Sequence, residues 1–153
     1  MKKTAITYGT FDLFHYGHLY LFQRIKEFAD FLIVAVSTDD FNSIKGKQSI
    51  IPFENRFEIV KSIKYVDLTI AENCWEQKLD DIKKFNVDYL VMGDDWKGKF
   101  DEFKNYCEVI YLPRTEGISS SLLKNSLSEI KNINLSHLNN ALELLNLLKN
   151  QLF

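Results

Sequence analysis

Cysteine is scarce in this chain of 153 residues: Cys74 and Cys107 stand far apart and form no Cys-x-x-Cys pair. Neither a zinc ribbon nor a disulfide scaffold is supported. Long apolar runs are missing as well. No stretch reaches the roughly 18 consecutive apolar residues of a membrane helix. The opening "MKKTAITYGTF" has basic residues without the apolar core of a signal peptide, so the expected location is the cytoplasm, with no membrane partner. An excess of one charge is also lacking. The formal net charge is -2, which offers no global field for nucleic acid. Any anion bound here must be held by a local cluster of cations. Prolines are limited to Pro52 and Pro113, and there is no internal repeat or low-complexity tract.

What is present suits one globular domain, with 46% hydrophobic and 26% charged residues. "KTAITY" reads as a strand ending at Gly9, and "LYLFQRIKEFAD" places Leu19, Phe22, Ile25 and Phe28 at helical spacing. "FLIVAVST" is an apolar, β-branched run of the kind buried on both faces of a parallel sheet. A helix after Pro52, a strand at "DLTIAE", a helix at "WEQKLDDIKKFN" and a strand at "VDYLVMG" continue the alternation. A helix at "GKFDEFKNYC" and a strand at "EVIYLP" complete it. The pattern predicts an α/β fold, with a doubly wound, Rossmann-like parallel sheet flanked by helices.

From Ser121 the spacing predicts helix to the end, with a break near Asn132 to Ser136 and Ser136 as a cap. We divide the chain into a domain over 1–130 and a helical C-terminal extension over 131–153. In the extension, Leu135, Leu138, Leu142, Leu145 and Leu152 form a stripe with Leu148 beside it. Such a stripe suits either packing on the domain's own flank or a contact between subunits.

Sheets of this class bind ligands beyond the carboxyl ends of their strands. Four polar stretches fall there: "GTFDLFHYGH", "STDDFNSIKGK", "MGDDWKGK" and "PRTEGISSS". In the first, His15 and His18 lie three residues apart where a loop turns into a helix, so both rings can project to one side. A helix start offers unpaired N–H groups to a phosphate. The pair is equally compatible with core packing, whereas zinc would require three or four ligands. Lys45 and Lys47 flank Gly46, and Arg114 is one of only three arginines against sixteen lysines. An arginine kept in a lysine-rich chain suits bidentate phosphate binding.

"GTFDLFHYGH" matches the GTFDxxHxGH signature, and "RTEGISSS" resembles the second signature, RTEGISTT, of the cytidylyltransferases within the HxGH nucleotidyltransferase superfamily. "STDDFN", "KYVD", "WEQK" and "MGDDWKGKF" bring the chain close to the members acting on glycerol 3-phosphate. The resemblance covers roughly residues 1 to 130. It implies transfer of a cytidylyl group from CTP to sn-glycerol 3-phosphate, giving CDP-glycerol and pyrophosphate, by direct in-line displacement. Ethanolamine phosphate or another small phospho-alcohol is the alternative acceptor, and a non-catalytic nucleotide-binding module is a further one.

By resemblance, His15, His18, Lys45 and Arg114 are catalytic. The nucleotide contacts are Gly9, Thr10, Phe11, His15, His18, Asp95, Arg114, Thr115, Ser119 and Ser120. Lys45, Lys47 and Arg56 hold the acceptor. No dedicated metal ligand is expected: Mg2+ enters mainly through the CTP phosphates. Asp12 either shapes the first loop or meets that ion through water. Trp75 and Trp96 either wall the pocket or pack in the core. A homodimer, and a product used for teichoic acid or a related surface polymer, complete what the resemblance implies.

Overall fold

The computed structural model describes residues 2–152, and their side chains except at 133–135 and 148–152. Five strands form a wholly parallel sheet: β1 Thr4–Gly9, β2 Phe31–Ser37, β3 Leu68–Glu72, β4 Tyr89–Gly93 and β5 Glu108–Leu112. Their spatial order is β3-β2-β1-β4-β5. Sequence order therefore reverses between β1 and β4, and the crevice outside those two carboxyl ends is the switch point where such sheets bind ligands.

The helices are α1 Tyr16–Lys26, α2 Asp39–Ile44, α3 Phe53–Lys61, α4 Gln77–Lys84 and α5 Ser120–Leu152. Side chains alternate across the sheet. Ala5, Leu32, Val34, Val36 and Val91 pack on one face with Phe22 and Ile25 of α1 and Val60 of α3. Ile6, Ile33, Ala35, Leu90 and Met92 pack on the other with Ile82 of α4, Phe100 and Phe103. Burying Phe22 and Ile25 contributes about 2 to 3 kcal/mol each, far more than helix propensity does over α1. Thus the continuous apolar run of β2 is buried on both sides, as its composition requires.

Three local expectations change. The polar stretch after β2 begins with a short helix, α2, capped where Thr38 Oγ1 accepts from Phe41 N. The predicted helix at "GKFDEFKNYC" is instead a 3₁₀ turn over Asp101–Asn105, preceded by another over Asp94–Trp96. Gly98, with φ of 85°, separates the two and prevents one continuous helix. Finally, α5 runs unbroken through 132–136, so Ser136 is an interior helical residue and not a cap. No proline or glycine occurs there, and Asn and Ser cost a helix only a few tenths of a kcal/mol each.

The chain divides into compact units at Met1–Ile118 and Ser119–Phe153. In the second unit, Leu138, Leu142 and Leu145 are exposed. The stripe residues Leu135, Leu148 and Leu152 have side chains outside the described set.

Candidate active site

The loop leaving β1 is folded tightly on itself. Phe11 and Leu13 hold φ of 51° and 50°, a left-handed conformation costing of order 1 to 3 kcal/mol each. Asp12 compensates from a buried position. Its Oδ1 accepts from Leu13 N at 3.1 Å and Ile51 N at 2.9 Å, while Oδ2 accepts from Ile50 N at 2.7 Å. Asp12 therefore ties the first loop to the segment before α3. Of its two expected roles, the structure shows the shaping of the loop. The Phe11 ring covers Gly9, where a Cβ would stand 2.9 Å from Cζ. Phe11 thus presents core packing rather than an exposed ring.

His15 is the N-cap of α1. Its Nδ1 accepts from Gly17 N at 3.0 Å, and His18 Nδ1 accepts from His15 N at 3.4 Å. An Nδ1 that accepts carries no proton, so both neutral imidazoles present Nε2–H as their donor. The rings stack with centroids 3.8 Å apart, and Phe11 and Phe14 contact His18. Burial, then the neighbouring His15, draws the His18 pKa down to about 3 against a smaller opposing pull from Asp12. Burial also lowers that of His15. At neutral pH the pair is uncharged, preorganised and adjacent to the positive end of a helix.

A depressed histidine pKa makes stability depend on pH. Between the unfolded value of 6.5 and the folded value of about 3, the unfolded chain binds the extra proton. His18 therefore adds nothing adverse above pH 6.5, and stability falls as pH drops through this window. A loss of about 3 kcal/mol between pH 7 and 4 is expected from His18. Urea unfolding of wild type and His18→Asn at both values checks this, and equal losses in the two proteins would refute it.

The glycine between the histidines has a steric reason. A Cβ at Gly17 would lie 2.8 Å from His15 Cε1. The ring can swing aside, so the fold survives, and alanine even favours the helix by up to about 1 kcal/mol. Gly17→Ala is thus expected to keep Tm while lowering kcat about 10- to 100-fold through a displaced imidazole. Unchanged kcat would show that the ring's placement is unimportant.

Across the carboxyl ends of β2 and β3, Lys45 Nζ donates to Ser37 Oγ at 2.6 Å and lies 3.4 Å from Glu72 Oε2. Burial lowers the Lys45 pKa, with Glu72 opposing. Gly46, with φ of 67°, turns the loop toward Lys47, whose Nζ lies 5.5 Å from the Trp96 ring centroid. Trp75 and Trp96 are 5.8 Å apart and line a hollow with Lys78, Lys99 and Phe100. They act as pocket walls as well as packing residues.

Arg56 differs from expectation. Its side chain is fully buried. Nε donates to Ile51 O, Nη1 to Thr10 O and Ser37 O, and Nη2 to Asp39 Oδ1, all within 2.8 Å. Those bonds join the loops after β1 and β2, so Arg56 supports the site from behind and offers no exposed donor to an acceptor phosphate.

Thr10 Oγ1 donates to Asn42 Oδ1 at 3.0 Å, again joining those loops. At the switch point, Arg114 Nη2 bonds Asp95 Oδ2 at 2.5 Å, linking the segments after β5 and β4. This pair is exposed and contributes at most about 1 kcal/mol. Thr115 follows, before the turn at Gly117 with φ of 77°. Ser119 and Ser120 head the second unit, where Ser119 Oγ accepts from Leu122 N at 3.1 Å and caps α5.

Sequence reasoning assigned no role to Glu72, Lys78 or Ser37, which are buried together. The available signal was position: Glu72 and Ser37 each end a parallel strand at the carboxyl edge. Among the described residues, no group of three or more His, Cys, Asp or Glu is arranged to hold a metal ion.

A cytidylyltransferase-like family model matches residues 6–126. The chain is 57% identical over 125 residues to glycerol-3-phosphate cytidylyltransferase of Staphylococcus aureus, covering 82% of this chain and 95% of that protein. It is 55% identical over 130 residues to the protein of the same name from Bacillus spizizenii, covering 85% of this chain and all of that one. Among solved structures, a lipopolysaccharide core biosynthesis protein from Thermoplasma volcanium superposes with a TM-score of 0.66 at 21% identity. That superposition covers 76% of this chain and 100% of the other, and shows likeness of fold.

Proposed function

Because this chain belongs to the cytidylyltransferase-like family, we infer that it transfers a cytidylyl group from CTP to sn-glycerol 3-phosphate, releasing pyrophosphate and forming CDP-glycerol. Identities of 54 to 57% with glycerol-3-phosphate cytidylyltransferases, over most of both chains, support the acceptor as well as the reaction. The observation that carries the reading is the stacked histidine pair at the start of α1, with both Nδ1 atoms accepting from backbone N–H groups.

A phosphate oxygen of the acceptor attacks the α-phosphorus of CTP while the bond to pyrophosphate breaks. The nucleophile is already anionic, so no strong base is needed, and positioning with electrostatic stabilisation supplies the catalysis. His15 and His18 donate to the phosphate oxygens on which charge builds. Each neutral imidazole can donate an N–H, and these bonds tighten as negative charge builds on the oxygens. Arg114 receives the nucleotide phosphates, and Lys45 and Lys47 hold the acceptor phosphate. Arg56 and Asp12 fix the loops that carry these groups. Mg2+ fits as an ion carried in on CTP, since both Asp12 oxygens are engaged by backbone N–H groups. When bound, it neutralises phosphate charge.

Dependence on CTP suits a cytoplasmic site of action. The exposed leucines of α5 support a homodimer. The product is an activated glycerol phosphate, suited to a transferase that builds a teichoic acid or another surface polymer.

Pyrophosphate release from CTP and Mg2+, measured with both glycerol phosphate enantiomers and ethanolamine phosphate, tests the reading. Turnover with sn-glycerol 3-phosphate and a CDP-glycerol product seen by phosphorus NMR are expected. Turnover only with another acceptor would replace the acceptor, and CTP binding without turnover would replace the enzyme by a binding module.

A further inference from the structure

At the carboxyl end of β3, one buried carboxylate faces two buried ammonium groups. Glu72 is 2% exposed and Lys78 1%. Lys78 Nζ donates to Glu72 Oε1 at 2.5 Å. Lys45 Nζ lies 3.4 Å from Oε2, and the Ser37 hydroxyl donates to that same oxygen. Lys45 in turn donates to Ser37 Oγ at 2.6 Å. One negative charge thus serves two positive ones, where burial makes an uncompensated charge expensive.

Aromatic faces supply the remaining compensation. Lys45 Nζ is 4.3 Å from the Phe41 ring centroid and 5.7 Å from that of Trp75. Lys78 Nζ is 4.4 Å from the Tyr8 centroid and 4.8 Å from that of Trp75. Ring faces stabilise cations but carry no net charge. Among the other charged and titratable neighbours, Asp81 supplies a further carboxylate beyond the Tyr8 ring. Lys47 adds positive charge from the same loop, and burial keeps Tyr8 protonated. Asp81 is engaged by Tyr8 Oη and Gln77 Nε2, each at 3.0 Å.

We propose that Glu72 is a positioning residue for the transfer reaction: its two carboxylate oxygens hold Lys78 and Lys45 apart, one on each oxygen, so that the Lys45 ammonium is set in place for the acceptor phosphate. This rests on the assignment of Lys45 to the acceptor made above. The carboxylate fixes where the Lys45 ammonium waits, and it offsets the burial that favours the neutral amine. Because both lysines share the one Glu72 carboxylate, Lys45 has room for the acceptor phosphate as a second anionic partner.

The test compares wild type, Glu72→Gln and Glu72→Asp in the full chain. Lysine ¹³Cε NMR without substrate, with the signal assigned by Lys45→Arg, reads the titration of Lys45 directly. Glu72→Gln is expected to lower its midpoint by about one pH unit or more. Glu72→Asp keeps the charge that Lys78 needs while withdrawing from Lys45, and should fall between the two. In turnover assays, the alkaline limb of kcat/KM should move to lower pH in the same order, because activity is lost as Lys45 deprotonates. KM for glycerol 3-phosphate should rise about tenfold in Glu72→Gln with KM for CTP within about twofold.

An unchanged Lys45 midpoint, or equal changes in both KM values with an unmoved alkaline limb, would overturn the proposal. If Glu72→Gln does not fold, the same readings on Glu72→Asp decide. Wild-type protein without turnover on glycerol 3-phosphate would overturn the proposed acceptor, while the NMR midpoints would still report the coupling between Glu72 and Lys45.

Discussion

Replacing His18 by asparagine is expected to lower kcat by about 10²- to 10³-fold, the effect of removing one preorganised donor from a phosphate transition state. The substitution separates two functions of one ring. Asparagine Oδ1 stands near the place of Nδ1 and can still accept from His15 N, so the start of α1 survives. What disappears is Nε2–H. Glutamine does the reverse, restoring a donor near Nε2 while giving up the cap. His18→Gln should therefore retain more activity than His18→Asn but begin α1 less firmly. Steady-state kinetics with CTP and glycerol 3-phosphate, beside circular dichroism melts, provide the comparison. A His18→Asn enzyme within tenfold of wild-type kcat would show that the imidazole is an element of the helix cap and not of the catalysis.

The second large effect concerns stability. Arg56→Met is expected to destabilise the first unit by about 4 kcal/mol, equivalent to a fall in Tm of about 10 to 15 °C. The loss of charge is not the main reason, since Asp39 is partly exposed and can be solvated. The carbonyls of Ile51, Thr10 and Ser37 lose their donors together, and each stranded acceptor costs about 1 to 3 kcal/mol unless water reaches it. Lysine cannot rescue the site, because a single ammonium lacks the planar fork that reaches three loops. Arg56→Lys should thus be almost as unstable as Arg56→Met. A stable Arg56→Lys protein with a raised KM for glycerol 3-phosphate alone would instead return Arg56 to the role of acceptor ligand.

These two residues show where sequence reading succeeds and where it stops. The adjacency of His15 and His18 was legible because a loop ending in a helix brings positions three apart onto one side, whereas their role came only from the resemblance. The parallel sheet was legible for a similar reason. An apolar run such as "FLIVAVS", set between amphipathic segments, can be buried only between two layers of helix. The helix expected at "GKFDEFKNYC" shrinks to a 3₁₀ turn over Asp101–Asn105 that starts beyond Gly98, which stands at positive φ. The unbroken course of α5 was missed where Asn and Ser weaken a helix without ending it.

By itself, then, the sequence determined the layered α/β class, the strands whose ends carry the site, and the paired imidazoles at a helix start. Those features follow from periodicity and from groups a few residues apart. Only the tertiary structure decided that Arg56 lies behind the site, that Asp12 fastens a loop, and that Glu72 faces Lys45 and Lys78. A charged side chain in a sequence carries no sign of its burial. Whether it meets solvent, ligand or backbone is settled by partners distant in sequence, 46 residues apart for Arg56 and Thr10, and those two meet only when the parallel strands bring their carboxyl ends to one edge.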